Sequence, residues 1–387
     1  MDKYALEGEL CRRYHNKLDI PAFFQMVKDP SYCYKFYWLE ALVRLISEGQ
    51  EKISFSEITD EMIANAWYSV VEFRIHLSGS MNGEVRDALE RAVWTLKKNS
   101  NLSSRASKLE IKNALLSYAE NVRTDKLQLV QKVPYRALSG FLVKAGSNTT
   151  PPWGAPKKFV AFTEWYNTDI GILPYVFGEG SGLEREILIH PEWAEMIRDN
   201  VVAILGWIQF EKLRWLQNNN IDVPGLVYKL EPPDEGMRKL SCVRKLWNHV
   251  LAHTQVKDVF KGNIVNAVEY DIDHFIPWSF VMHDEIWNLM PMDSSLNCSK
   301  SNKLPQWEPF FVRFAENQYL LYQQVFADDR AGDLFRECYK DNLRALWACE
   351  ELYTPGNSMN GFIERLEKGM KPLYEAAKRQ GYELWSF

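Results

Sequence analysis

Apolar residues recur at spacings of three and four through most of the first 125 residues, the pattern of a helix with one buried face. FYWLEALVRLISEG (36–49) and DEMIANAWYSVVEFRIHL (60–77) are the clearest runs, and Thr59 and Asp60 are plausible N-caps of the second. The Gly, Ser, Asn and Pro content of AGSNTTPPWGAP (145–156) predicts a loop. Beyond it KKFVAFTEW (157–165), DIGILPYVF (169–177) and LEREILIH (183–190) read as short strands, the last two parted by the turn-like GEGSG. A helical pattern then runs from His190 to Gln217. NNNIDVPG and LEPPDEG (218–236) interrupt the pattern and mark a domain boundary. Helical spacing returns from Gln306 to Phe387.

This order of elements predicts an α+β chain that is mostly helical. Four segments follow: a helical 1–125, an α+β 126–236, a compact 237–305 and a helical 306–387. A length of 387 residues suits several domains at roughly 150 residues each. The 46% hydrophobic and 25% charged content is that of a globular chain, excluding disordered and fibrous classes. The most apolar run, VVAILGWIQF (201–210), falls short of the roughly 20 residues of a membrane span. The start, MDKYALEGELCRR, has charges where a signal peptide needs an apolar stretch, so no membrane association is expected. The six cysteines form no CxxC pair, which points away from a disulfide framework and toward a reducing, cytoplasmic setting.

The net charge of −5 argues against a general nucleic-acid binder, yet charge is unevenly spread. Residues 91–158 hold thirteen basic and three acidic side chains, or +10, leaving −15 on the rest. Such a block is the footprint of a face for a polyanion, and Lys97, Lys98, Arg105 and Lys108 are its candidate nucleic-acid contacts. The bland alternative is a solvated helical face whose lysines balance acids elsewhere in space.

The most specific chemistry lies in EYDIDHFIPWSFVMHDEIWNLMPMDSSLNCSKSNKLP (269–305). A strand over VEYDIDHFIP would place Asp271 and Asp273 on one face and His274 on the other. IWNLMPM reads as a second strand, Asp293 as an N-cap, and SSLNCSKSN as one or two helical turns with Asn297 and Lys300 on a shared face. Asp273 and Asn297 offer oxygen ligands to a hard divalent cation, magnesium or manganese. An imidazole such as that of His274 can take a proton from water, and Lys300 can meet a phosphate as a point charge. Asn288 can bridge the loop backbone and orient His274.

The segment resembles the HNH, or ββα-metal, nucleases, on Asp273-His274, Asn288 and Asn297 together with the surrounding YDIDH, DEIWN and N-x-x-K-S-N, and is especially similar to the HNH module of RNA-guided CRISPR nucleases. The resemblance implies a ββα module embedded between the N-terminal regions and the helical C-terminal segment. It also implies Asp273 and Asn297 as metal ligands, His274 as general base and Asn288 as loop organiser. Asp271 is expected to support the ligands from behind. Lys303 adds a candidate DNA contact. The two CxxC pairs that hold structural zinc in many such proteins are missing. No structural zinc is therefore expected, and Trp278, Trp287 and Trp307 are candidates for packing in its place. His249 and His253, four apart, lack a third ligand and read as structural; His283 is expected in an exposed loop. His15, His76 and His190 have no chemical company.

These residues predict a metal-dependent endonuclease cleaving DNA. The module itself is nearly neutral, with eight basic and seven acidic residues over 238–305, so it needs help to grip a duplex. Two other readings are a catalytically inactive nucleic-acid-binding or scaffold subunit, and a defence effector held inactive until a regulatory partner protein or activating ligand releases it.

Overall fold

The computed structural model describes residues 3–14, 17–28, 30–78, 87–142, 151–231 and 238–386. Residues 145–150 of the expected loop, 232–236 of the expected break, Lys144 and His15 lie outside them. The fold is mostly helical with few short sheets. The chain divides into two compact units, with the change of unit at Asn220–Ile221.

In the first unit, Ser54 rather than Thr59 or Asp60 starts the helix Phe55–Val71. Its hydroxyl accepts the Glu57 N–H while the Glu57 carboxylate accepts the Ser54 N–H at 2.7 Å, a reciprocal capping box. Thr59 lies inside that helix, fully buried, donating to the Phe55 carbonyl. The helix is preceded by strand β1 (Lys52–Ser54), which hydrophobic patterning did not reveal because it is only three residues long. It pairs antiparallel with β3 (Glu186–Ile189), the centre of a three-stranded sheet completed by β2 (Tyr175–Phe177).

Three expectations are corrected here. The strand expected over 157–165 is part of a helix, Pro156–Asp169. Its buried residues Phe159, Thr163 and Tyr166 are spaced four and three apart, and this period outweighs the strand-like aromatic and β-branched composition. The strand expected over 169–177 shortens to β2, its first residue ending the helix Pro156–Asp169, and that over 183–190 shortens to β3, because Gly182–Glu184 forms a 3₁₀ turn. The helix expected from His190 to Gln217 is two, Pro191–Asp199 and Val201–Asn219, parted at Asn200, whose φ of −125° and ψ of 19° leave the helical region. Trp38, Trp67 and Trp193 fill the core, with Trp193 stacked on Phe23 at 5.4 Å.

The second unit holds β4 (Asp271–His274) paired antiparallel with β5 (Leu289–Met292), followed by the helix Ser294–Lys300. The helix Ser241–His253 and three longer ones, Trp307–Ala327, Asp329–Asn342 and Met359–Arg379, belong to the same unit. Strands and helices share one apolar core, so the ββα element and the C-terminal helices are packed as a single body. Trp307 stacks on Phe311 at 4.2 Å and meets Phe275 edge-on; Trp287 lies against Trp347; Trp278, also buried, carries the Arg238 guanidinium over its ring.

Candidate active site

The register His274↔Leu289 leaves the 14 residues between them to close a loop over the strand ends. Asn288 organises that loop. It is fully buried, its Oδ1 accepts the Ile276 N–H and its Nδ2 donates to the Ile276 carbonyl, both at 2.8 Å. Its own carbonyl accepts the Phe275 N–H. It sits in the 3₁₀ turn Ile286–Asn288 just before β5 rather than within a central strand. Three bonds to two consecutive residues fix the backbone immediately after His274.

Strand alternation divides the chemistry between two faces. Asp271 and Asp273 are half-buried on one, and Ile272 and His274 are buried on the other. Asp293 caps the following helix by accepting the Ser295 and Leu296 N–H groups, and the Ser295 hydroxyl first, then these N–H groups, hold its carboxyl below the usual range. That helix presents Asn297 and Lys300 to the carboxylate face. Asn297 Nδ2 donates to Asp271 Oδ2 at 3.0 Å, and Lys300 Nζ donates to Asp273 Oδ2 at 2.8 Å and to the His274 carbonyl at 2.7 Å. Lys300 is fully buried, so its ammonium neutralises Asp273 instead of facing a phosphate, the role expected from the sequence. Arg244 lies 3.9 Å from Asp271.

The donor set fits a hard cation. Two carboxylates and a carboxamide supply only oxygen ligands, and their partial exposure leaves room for water and phosphate. Among the described residues no group of three or more His, Cys, Asp or Glu side chains is disposed to hold a metal.

His274 has a partner that sequence reasoning missed. The imidazole is 1% exposed, and its Nε2 lies 2.9 Å from Asp284 Oδ1, although neither atom makes a well-directed hydrogen bond. Burial by itself would raise the Asp284 carboxyl; contact with His274, the Lys239 N–H and the charge of Arg238 outweigh it and hold the group below its ordinary range. His283 is not exposed as expected. Burial first, then the charges of His274 and Lys229, push it down to about 4, so it stays neutral beside the pair. The loop is tied to the C-terminal helices, since Asn342 Nδ2 donates to the carbonyls of Asp284 and Lys239, Glu285 accepts the N–H groups of Arg344 and Ala345, and Gln318 Nε2 donates to the Leu289 carbonyl. No local sequence pattern points to Asp284, because closure of the 14-residue connection between the strands is what brings it to His274.

The remaining residues fall apart from this cluster. His249 Nε2 lies 3.1 Å from Asp328 Oδ1 and His253 Nδ1 2.8 Å from the His249 carbonyl, a structural arrangement. His76 is paired after all, with Glu90 at 2.9 Å, and His190 caps the helix Pro191–Asp199. Lys303 is half-buried beside the site helix. In the basic block of the first unit, Lys108 and Lys112 both bind the buried Glu61, Lys126 binds Asp60 at 2.8 Å and Arg91 binds Asp125 at 3.0 Å. Lys97 donates to the Leu102 carbonyl and Arg105 lies 3.9 Å from Glu72; Lys98 is exposed and has no partner among the described residues. Two acids of the helix Phe55–Val71, Asp60 and Glu61, therefore balance part of the +10, and counting along the chain placed them outside the block.

Residues 257–306 match the family model described as HNH endonuclease, and no family model matches the rest of the chain. No curated protein and no solved structure matches it. Among the described residues no helix is long and apolar enough to cross a membrane.

Proposed function

We propose that this protein is a divalent-cation-dependent endonuclease that hydrolyses DNA phosphodiester bonds, acting in the cytoplasm. The observation that carries the reading is that β4 ends on Asp273 and His274, with the backbone just after them locked by Asn288 and its carboxylate face met by Asn297, all within the HNH-matching segment. Asp273 and Asn297 would hold magnesium or manganese, with Asp271 steering the Asn297 amide. The cation, when bound, supplies charge neutralisation at the phosphate and at the departing 3′ oxygen. His274 accepts a proton from water as the water oxygen bonds to phosphorus. The bond from phosphorus to the 3′ oxygen breaks, that oxygen takes a proton from solvent, and a 5′ phosphate and a 3′ hydroxyl result. Lys300 keeps Asp273 in place by charge. Of the phosphate contacts expected from the sequence, Lys303 and Lys98 would meet DNA without first leaving a carboxylate or carbonyl partner among the described residues.

His274→Ala tests this. Losing a general base lowers the rate by about 10²–10⁴-fold while DNA binding persists. Cleavage by the alanine variant at near wild-type rate, with plasmid and magnesium or manganese, refutes the assignment.

The burial of His274 favours a second reading, an anti-phage effector whose site opens only when a partner protein or a ligand binds. Plasmid cutting by the purified chain alone supports the free enzyme, and cutting only in the presence of the products of neighbouring genes supports the effector.

A further inference from the structure

The geometry points to Asp284 as the positioning residue of His274, a carboxylate that sets which imidazole nitrogen can accept a proton. The inference rests on the reading of His274 as general base, and deepens it.

A carboxylate accepts hydrogen bonds and cannot donate them, so the ring nitrogen facing it must carry the hydrogen. With Nε2 at 2.9 Å from Asp284 Oδ1, the favoured neutral form is Nε2–H, and the lone pair lies on Nδ1. Nδ1 is thereby the nitrogen that can take a proton from water. When it does, the ring becomes an imidazolium whose charge lies against a carboxylate only 5% exposed, where the interaction is weakly screened. The contact is short, and although it is not a well-directed hydrogen bond, the charge of the carboxylate favours the hydrogen on the facing nitrogen.

Asp284 is itself anchored independently of His274. Its Oδ2 accepts the Lys239 N–H at 2.6 Å, and its backbone carbonyl accepts Asn342 Nδ2 at 2.7 Å. This leaves Oδ1 for the imidazole. His283, the other titratable ring of the loop, has its Nδ1 buried without a partner and lies 5.4 Å from the Trp287 ring, so it does not compete for that oxygen.

A loop anchor and a tautomer-setting carboxylate predict different results for Asp284→Asn. The asparagine oxygen can still accept the Lys239 N–H, preserving the anchor, but its amide hydrogens then face Nε2 and favour the Nδ1–H ring. In an unrelated hydrolase, the serine-protease triad, the equivalent Asp→Asn change lowers kcat about 10⁴-fold through the wrong tautomer. For this chain we expect cleavage of saturating DNA to fall by about 10²–10⁴-fold, with KM and magnesium affinity within threefold of wild type.

The test is made on the full chain with ¹⁵N-labelled histidine, the His274 signals being identified by their loss in His274→Gln. Wild type should show the Nε2–H tautomer and Asp284→Asn the Nδ1–H tautomer or the imidazolium. Wild-type His274 in the Nδ1–H form overturns the proposal without any Asp284 variant, whether or not Asp284→Asn folds. So does an Asp284→Asn protein that cuts within threefold of wild type. The two levels of the argument fail separately: full activity of His274→Ala removes the general base itself, whereas an inactive His274→Ala beside an active Asp284→Asn removes only the role of Asp284.

Discussion

Replacing Asn288 by alanine removes two hydrogen bonds from a site with no access to water. The Ile276 N–H and carbonyl each lose a partner at 2.8 Å, and the side chain that satisfied them is fully buried. A buried polar group left without a partner costs about 1–3 kcal/mol, so two cost about 2–6 kcal/mol, toward the lower end if a water fills the space of the carboxamide. The bond from Phe275 N–H to the Asn288 carbonyl survives, because it uses only backbone. With a urea dependence of about 2 kcal/mol per molar, a loss near 3 kcal/mol moves the midpoint of the second unit's transition down by about 1–2 M. Urea titrations of the full chain, following ellipticity and tryptophan fluorescence together, measure it. Asn288→Asp should be no better, since it sets a carboxylate oxygen against the Ile276 carbonyl. Cleavage should fall with stability in both variants, as His274 lies two residues before Ile276. A midpoint shift below about 0.2 M with an unchanged cleavage rate would refute the assignment of Asn288 as organiser of the loop.

Three further outcomes are expected. Asp273→Ala and Asn297→Ala should each weaken magnesium and manganese binding by calorimetry, EDTA should stop cleavage, and stoichiometric zinc by elemental analysis would contradict a module held by packing alone. Replacing Lys97, Lys98, Arg105 and Lys108 together by glutamine should flatten the logarithmic salt slope of DNA binding by about 0.9, the share of Lys98 alone, whereas about 3.6 would mean that all four contact phosphate despite their partners. Lys229 donates to the Phe280 carbonyl from a fully buried position, and burial lowers its ammonium to about 7 from 10.5. Between those values the unfolded chain binds more protons than the folded one, so stability should rise with pH from about 7 to about 10. Lys229→Met should remove that rise in thermal unfolding, and an unaltered pH profile would show that another group causes it.

Short-range chemistry was legible in the sequence. The Asp293 cap, the shared face of Asn297 and Lys300, and the opposite faces of Asp273 and His274 all depend on a few neighbouring residues whose geometry is that of one turn or one strand. The errors of the N-terminal unit have one origin. Composition favoured strands over 157–165 and a cap at Thr59, while the elements that formed were chosen by which face the rest of the unit could bury and by a reciprocal cap at Ser54.

What the chain by itself determined, then, is the ββα segment and its acid, amide and imidazole groups, because strand and helix periods set which side chains share a face. What only the tertiary structure decided is how those groups are paired. Asp284 reaches His274 by closure of a loop, Lys300 turns inward to Asp273, and Glu61 of one helix binds the lysines of another. Each pairing joins residues ten or more positions apart, and burial makes the pairing compulsory, since a charge removed from water must find its partner wherever the fold has placed one.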